Sequence, residues 1–307
     1  MTTKRILLDT DLGTDVDDCL ALAFLVQSPE VRLEAVTCVY ADVELRGRMV
    51  AKLLRLADLP DVPVALGARQ PLLGRVPLFW QGHEGEGLLE AGDPAPVFDR
   101  RHAATLIVDV ARAHPGEVWL LAIGPLTNVA LALQLEPRLP DLLAGVSIMG
   151  GAIRGRAEEG QAAVEHNVRC DPEAAYLVLR SGLPITLAPL DVTTQVRIDR
   201  AGLARIAQGG SPFHDAVAQQ LARYPRFRDR GWTYLHDALA AATIVRPDLV
   251  STSPFEIDVD LGGDVAGGLT VARPVEPAQS RRSLRVALDV AVERFQDLFL
   301  ERLAAPR

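Results

Sequence analysis

The stretch LLDTDLGTDVDDCLALAFL (residues 7–25) sets five aspartates between two apolar runs. The first run, starting at RILLD, reads as a buried strand, and the second, DDCLALAFLVQS, reads as a helix. Asp9 and Asp11 end the strand, Gly13 permits a tight turn, and Asp17 and Asp18 enter the first helical turn. A helix N-terminus stabilises a carboxylate electrostatically, but five packed this closely still repel one another. A bound cation resolves the conflict. The candidate ligands are all oxygen donors with no matching histidine or cysteine cluster, which favours Ca²⁺ or Mg²⁺ over zinc. Backbone carbonyls plus a bidentate carboxylate would favour calcium. Asp17 and Asp18 project about 100° apart on a helix, so one is expected to face a metal and the other a substrate. Gly13 in the fifth position breaks the D-x-D-x-D-G calcium-loop pattern. Carboxylates at this helix start would also repel a pyrophosphate, which excludes a glycine-rich dinucleotide loop.

Outward from this stretch, strand-like runs alternate with helical patterns. RLEAVTCVY, VPVAL, EVWLLAIG, GVSIMGG and LPITLAPL read as strands, and LRGRMVAKLLRLA reads as a helix. The order predicts an α/β fold, an open and mostly parallel sheet with helices on both faces. Ligands of such sheets bind beyond the carboxyl ends of the strands, where the polar clusters fall. After residue 190 the rhythm weakens through the polar stretch GGSPFHDAVAQQLARYPRFRDRGW, then resumes with the helix LHDALAAATIVRP. TSPFEIDVDL, GGLTVAR and RRSLRVALDVAVERFQDLFLERL suggest further strands and a terminal helix. Gly67 to Pro96 reads as a loop beside the site. With no linker-like composition and no repeat, residues 1–307 are expected to form a single domain.

The chain of 307 residues carries a formal net charge of −8, which argues against long-range attraction to nucleic acid or an anionic membrane. Lysine occurs only at Lys4 and Lys52, so arginine supplies nearly all positive charge. Cys19, Cys38 and Cys170 have neither disulfide density nor zinc spacing and read as buried thiols of a reducing cytosol. No stretch reads as a signal-peptide core or a membrane span, and a cytoplasmic protein is expected.

Three other constellations carry polar chemistry. His236 and Asp237 begin the helix in YLHDALAAATIV, where Asp237 either caps the helix or ligates a metal. Glu165 and Asn167 in VEHN share a face if the segment is extended, and together suit vicinal hydroxyls. Thr127 and Asn128 in IGPLTN either cap a helix or belong to the site. Tyr224, Phe227, Trp232 and Tyr234 are candidates to stack on a ligand or to pack locally.

DTDLGTDVDDCLAL, IGPLTN, SIMGG, VEHN followed by DPEAA, and HDALA occur in the order and separations of one family. The chain resembles the inosine-uridine-preferring nucleoside hydrolases over nearly its whole length. The resemblance implies an open α/β sheet with a bound Ca²⁺ and hydrolysis of the N-glycosidic bond of ribonucleosides to ribose and free base by a calcium-bound water. It implies Asp11, Asp18, Asp237 and the Ile123 carbonyl as metal ligands, with Asp11 also accepting the water's proton. It implies Asp17, Glu165, Asn167 and Asp237 as ribose ligands, and His236 as the proton donor to the leaving base. The expected partner is a small-molecule ribonucleoside, with no nucleic acid and no membrane, in a homodimer or homotetramer.

The chain departs from the family pattern in several places. GTDVDD is longer than the usual spacing, which leaves Asp15 without a role. Asp42, Gln81 and Glu159 stand where asparagine, histidine and asparagine are usual, and they are expected to add negative charge around the sugar. Two alternatives are a haloacid-dehalogenase-like phosphatase using Asp9 and Asp11, and a calcium-dependent ribose- or nucleoside-binding protein without activity.

Overall fold

Residues 3–75, 77–154, 164–263, 267–276 and 283–306 are described by a computed structural model. The strands are β1 (Lys4–Thr10), β2 (Val31–Cys38), β3 (Val64–Leu66), β4 (Val118–Ala122), β5 (Leu143–Met149), β6 (Ile185–Ala188), β7 (Arg197–Asp199), β8 (Trp232–Tyr234), β9 (Val250–Val259), β10 (Thr270–Pro274) and β11 (Leu284–Val290). Nine of them form one sheet in the order β10-β9-β11-β6-β5-β4-β1-β2-β3. Pairing is parallel from β3 through to β11 and antiparallel only where β9 meets β11 and β10. This is the mostly parallel sheet that the sequence predicts.

Strand periodicity explains the two layers of helices. In β1, Ile6 and Leu8 enter one hydrophobic core while Leu7 enters the other. Leu121 of β4 faces the first core, and its neighbours Leu120 and Ala122 face the second. A strand buried on both faces has to be apolar throughout, which is why RILL and WLLA read as runs rather than alternations. Helices Asp17–Val26 and His236–Val245 pack together on the first face and are apolar almost all round. Such helices belong in an interior. Ser147 of β5 ties the second of them to the sheet through the Ala240 carbonyl at 2.8 Å and Thr243 Oγ1 at 2.9 Å.

Two segments differ from their sequence reading. The polar stretch after Gly209 holds the helices Pro212–Arg223 and Pro225–Arg230 and strand β8, which pairs with β7. Its first helix is amphipathic, burying Phe213, Val217 and Leu221 beneath a polar outer face, and that outer face hid the helix. The terminal run divides into β11 and the helix Val292–Leu303. Gly67 to Pro96 contains no helix or strand among its described residues, as expected of a loop. Among the described residues no helix is long and apolar enough to cross a membrane.

Asn128 shows how the loops beyond the sheet are fastened. It starts the helix Thr127–Leu135, but its side chain does not cap it: Nδ2 donates to Asp9 Oδ1 at 2.8 Å and to the Cys38 carbonyl at 3.1 Å, and Oδ1 accepts from Ala68 N at 2.9 Å. Replacing Asn128 by alanine strands these buried groups, so unfolding free energy should fall by about 2–3 kcal/mol. Denaturant titration checks this, and a loss within about 0.5 kcal/mol would show that the network contributes nothing.

Candidate active site

The sheet order reverses at β1, whose neighbours are β2 on one side and β4 on the other. Open α/β sheets form their crevice at such a switch point. Asp9 pairs in register with Ala122, so Asp11 and Ile123 lie just past the strand ends on either side of it. The approach is close: a Cβ on Gly124 would sit 2.9 Å from Asp11 Oδ1 and 3.0 Å from Asp11 N. The cavity opening there has a volume of about 370 Å³, and Asp11, Asp17, Asp18, Ile123, Glu165, Asn167, His236 and Asp237 all line it. Residues spread over more than two hundred positions thus meet in one place.

At the centre, Asp17, Asp18 and Asp237 each bring a carboxylate oxygen within 4.8 Å of the others. The helices Asp17–Val26 and His236–Val245 start side by side, and each carries its acids in its first turn. Neither helix has a side-chain cap, so Asp237 does not cap its helix. Despite their angular separation, Asp17 and Asp18 both bring an oxygen to the group that includes Asp237. Side chains in a first turn lean back toward the helix N-terminus, which lets neighbouring carboxylates reach a common point. Asp17, assigned to the sugar by resemblance, therefore belongs to the converging oxygens, whereas Asp11 lines the cavity outside that group.

The electrostatics suit a cation. Asp17, Asp18 and Asp237 are 3–4% exposed, and burial followed by mutual repulsion holds them well above the usual carboxylate range. Burial also raises Asp11, opposed by Arg46 and His166. Thr10 Oγ1 donates to Asp18 Oδ1, and Asp237 N donates weakly to Asp17 Oδ2 at 3.4 Å. All three acids line the cavity. An all-oxygen set this crowded fits a hard divalent cation.

Arg46, which the sequence reading passed over, frames the aspartate loop. Fully buried, it donates to the carbonyls of Asp11, Leu12 (3.1 Å) and Tyr40 (2.8 Å) and to Thr14 Oγ1 (3.1 Å). Its guanidinium lies 3.9 Å from Asp11 Oδ2. Glu84 fastens the long loop to the same place by accepting from Thr14 Oγ1, Gln81 N and Gly82 N. Phe79 is held against the cavity by donating its N–H to the Tyr40 hydroxyl at 2.8 Å.

On the opposite wall, Glu165 is not in an extended segment: it caps the short helix His166–Cys170. Its oxygens accept from Asn167 N (2.7 Å), Val168 N (3.0 Å) and Gly151 N (3.1 Å). Asn167 Nδ2 donates to the Ile123 carbonyl at 2.8 Å. Both side chains reach the cavity because cap and first turn face it together. His236 Nδ1 shares a 2.8 Å hydrogen bond with Thr193 Oγ1, which orients the ring.

Other expectations change. Asp9 is fully buried and bonded to Thr37 and Asn128, with burial raising it to about 7, and it does not line the cavity. A phosphatase nucleophile there would be unreachable, and Lys52, its only downstream lysine, pairs with Asp93 instead. Asp42 caps the helix Val43–Leu56 and pairs with Arg69, away from the cavity, so it adds no charge around a sugar. Gln81 lines the cavity, and Glu159 lies outside the described residues. Thr127 Oγ1 donates to Asp171 rather than capping. Of the four aromatic candidates only Tyr224 lines the cavity: Phe227 is core, and Trp232 stacks edge-on with Tyr234 beneath Arg197. Asp15 accepts from the Tyr224 hydroxyl at 2.7 Å.

A doubly wound sheet whose switch-point crevice gathers only oxygen ligands, with amide and imidazole groups on the facing walls, defines a hydrolase site able to chelate a divalent cation. The family model for inosine-uridine preferring nucleoside hydrolase matches residues 6–297, and the chain belongs to that family. It hydrolyses the N-glycosidic bond of ribonucleosides. A pyrimidine-specific ribonucleoside hydrolase of Klebsiella pneumoniae subsp. pneumoniae is 35% identical over 308 residues, 97% of this chain and 98% of that one. Another from Enterobacter sp. is 36% identical over 310 residues, 97% of each chain. The structure of a purine-preferring ribonucleoside hydrolase from Gardnerella vaginalis superposes with a TM-score of 0.87 at 28% identity, covering 98% of both chains.

The raised carboxylates fix a sign. Without a cation the folded state holds protons that the unfolded chain releases near pH 4, so stability of the cation-free protein should fall as pH rises through the folded values. A cation displaces those protons, so its stabilising effect should grow over the same range. Calorimetry with chelator and with calcium, between about pH 5 and about pH 8, checks both slopes. A calcium-induced shift that does not change with pH would contradict the site.

Proposed function

We propose that residues 1–307 act as one calcium-dependent hydrolase domain that converts pyrimidine ribonucleosides to ribose and free base. The convergence of Asp17, Asp18 and Asp237 at the switch point carries this reading. Three carboxylates beside the Ile123 carbonyl favour calcium over magnesium, which keeps more of its water. The pyrimidine-specific relatives support uridine and cytidine as substrates. The free, buried cysteines support a cytoplasmic setting, and a homodimer or homotetramer is the proposed assembly.

Asp11, Asp18, Asp237 and the Ile123 carbonyl would hold the cation, with Asp17, whose oxygen converges with those of Asp18 and Asp237, facing both cation and sugar. Bound there, calcium supplies Lewis-acid polarisation and an anchor for vicinal hydroxyls. Asp11 accepts the proton of the attacking water, and burial, which raises its affinity for protons, suits it to that task. Asn167 and Glu165 orient the sugar from the facing wall. The surrounding carboxylates stabilise positive charge that develops on the ribose as the bond to the base lengthens, without reorganising. His236 delivers a proton to the departing base.

The experiment is a product assay for ribose and base on uridine, cytidine, inosine and nicotinamide riboside, with and without chelator. Binding without products would favour a receptor. Asp11→Asn should lower kcat by about 10²–10⁴ while calcium still raises thermal stability; full turnover in that variant would reassign the base. His236→Ala should cost far more on uridine than on a riboside with an activated aryl leaving group, and equal losses would remove His236 from leaving-group protonation.

A further inference from the structure

The cavity has three walls for the three arms of a riboside. In the proposed function the acid centre takes the vicinal hydroxyls. His236, the proposed proton donor to the base, lines the cavity together with Tyr224 and Arg226. The short helix His166–Cys170 remains for the arm at C5′. His166 and Arg169 stand three residues apart on that helix, on one face, and both are exposed and line the cavity.

Among the described residues, the Arg169 side chain makes no hydrogen bond and no ion pair. Arg226, which lines the same cavity, likewise makes none among the described residues, whereas Arg75 nearby pairs with Glu173 at 3.3 Å. The adjacent acid, Glu165, accepts from three backbone N–H groups and not from Arg169. Arg169 also lines an adjoining cavity of about 260 Å³, whose other charged walls are Arg75 and Glu173. A guanidinium free of partners among the described residues, on a residue that lines both cavities, suits the oxygens of a phosphate.

We propose that this enzyme also accepts ribosides carrying a phosphate on C5′, with Arg169 binding the phosphate and His166 beside it. The proposal rests on the ribose orientation of the proposed function. The chemistry is unchanged: water adds to C1′, the C1′–N bond breaks, the water's proton passes to Asp11, and the base takes a proton from His236. The products are ribose 5-phosphate and free base.

Titration calorimetry of the calcium-loaded protein with ribose and with ribose 5-phosphate reads the site without turnover. Ribose 5-phosphate should bind about tenfold tighter. Arg169→Gln should remove the difference and Arg169→Lys should keep part of it, and since Arg169 is exposed neither change threatens folding. In parallel, uridine 5′-monophosphate should be cleaved with kcat/KM about tenfold above that of uridine, an advantage lost in Arg169→Gln. Equal affinity for the two sugars, or a phosphate preference that survives in Arg169→Gln, overturns the proposal. Uridine turnover without phosphate preference sinks it alone, whereas absence of both sugar binding and uridine turnover sinks the proposed function with it.

Discussion

Carboxylates buried together with too little positive charge dominate the energetics of this molecule. An uncompensated buried ion costs several kcal/mol, and a helix terminus returns roughly 0.3–1 kcal/mol for each acid beside it. Two helix starts therefore cannot offset Asp17, Asp18 and Asp237. The buried cation beside the aspartate loop, Arg46, gives its short hydrogen bonds to backbone carbonyls and Thr14, and approaches Asp11 only to 3.9 Å. Its work is to hold the loop that presents the acids. The acids themselves must share protons or a divalent cation, and that choice links metal, pH and stability.

The fold makes this concentration of charge tolerable by making it rigid. Asp17–Val26 and His236–Val245 are apolar helices locked between sheet and outer helices, so their first turns cannot splay to relieve repulsion. Parallel strands bring β1 and β4 side by side with their carboxyl ends level. The absence of a side chain on Gly124 then lets the Ile123 strand end close against Asp11. Charge held without freedom to reorganise is what stabilises a developing cation on a sugar.

The architecture was legible because it rests on local signals. Apolar runs of strand length separated by helical patterns determine a parallel sheet, and the polar clusters at strand ends mark its crevice. What escaped depends on pairs remote in sequence. Asp9 differs from Asp11 by two positions, yet Thr37 and Asn128 take it into the core. Asn128 reads as a helix start, and only the fold brings Cys38 and Ala68 to it. Arg46 lies within an ordinary amphipathic pattern and becomes a buried brace because residues 11 to 14 bend over it. Phe79 sits in a loop whose course is set by Glu84 and Tyr40.

The five aspartates of the opening stretch thus have four separate fates, and the extra residues in GTDVDD explain one of them. Asp9 is a core acceptor, Asp11 lines the cavity under Arg46, and Asp17 and Asp18 join Asp237. Asp15 is half-buried, and its Oδ2 accepts from Tyr224, 209 positions away. Tyr224 lies at the turn between the helices Pro212–Arg223 and Pro225–Arg230 and lines the cavity. The lengthened loop therefore spends its additional carboxylate on holding that segment against the acid centre. Asp15 still lines the cavity, and its charge adds to the repulsion that raises Asp11, Asp17, Asp18 and Asp237.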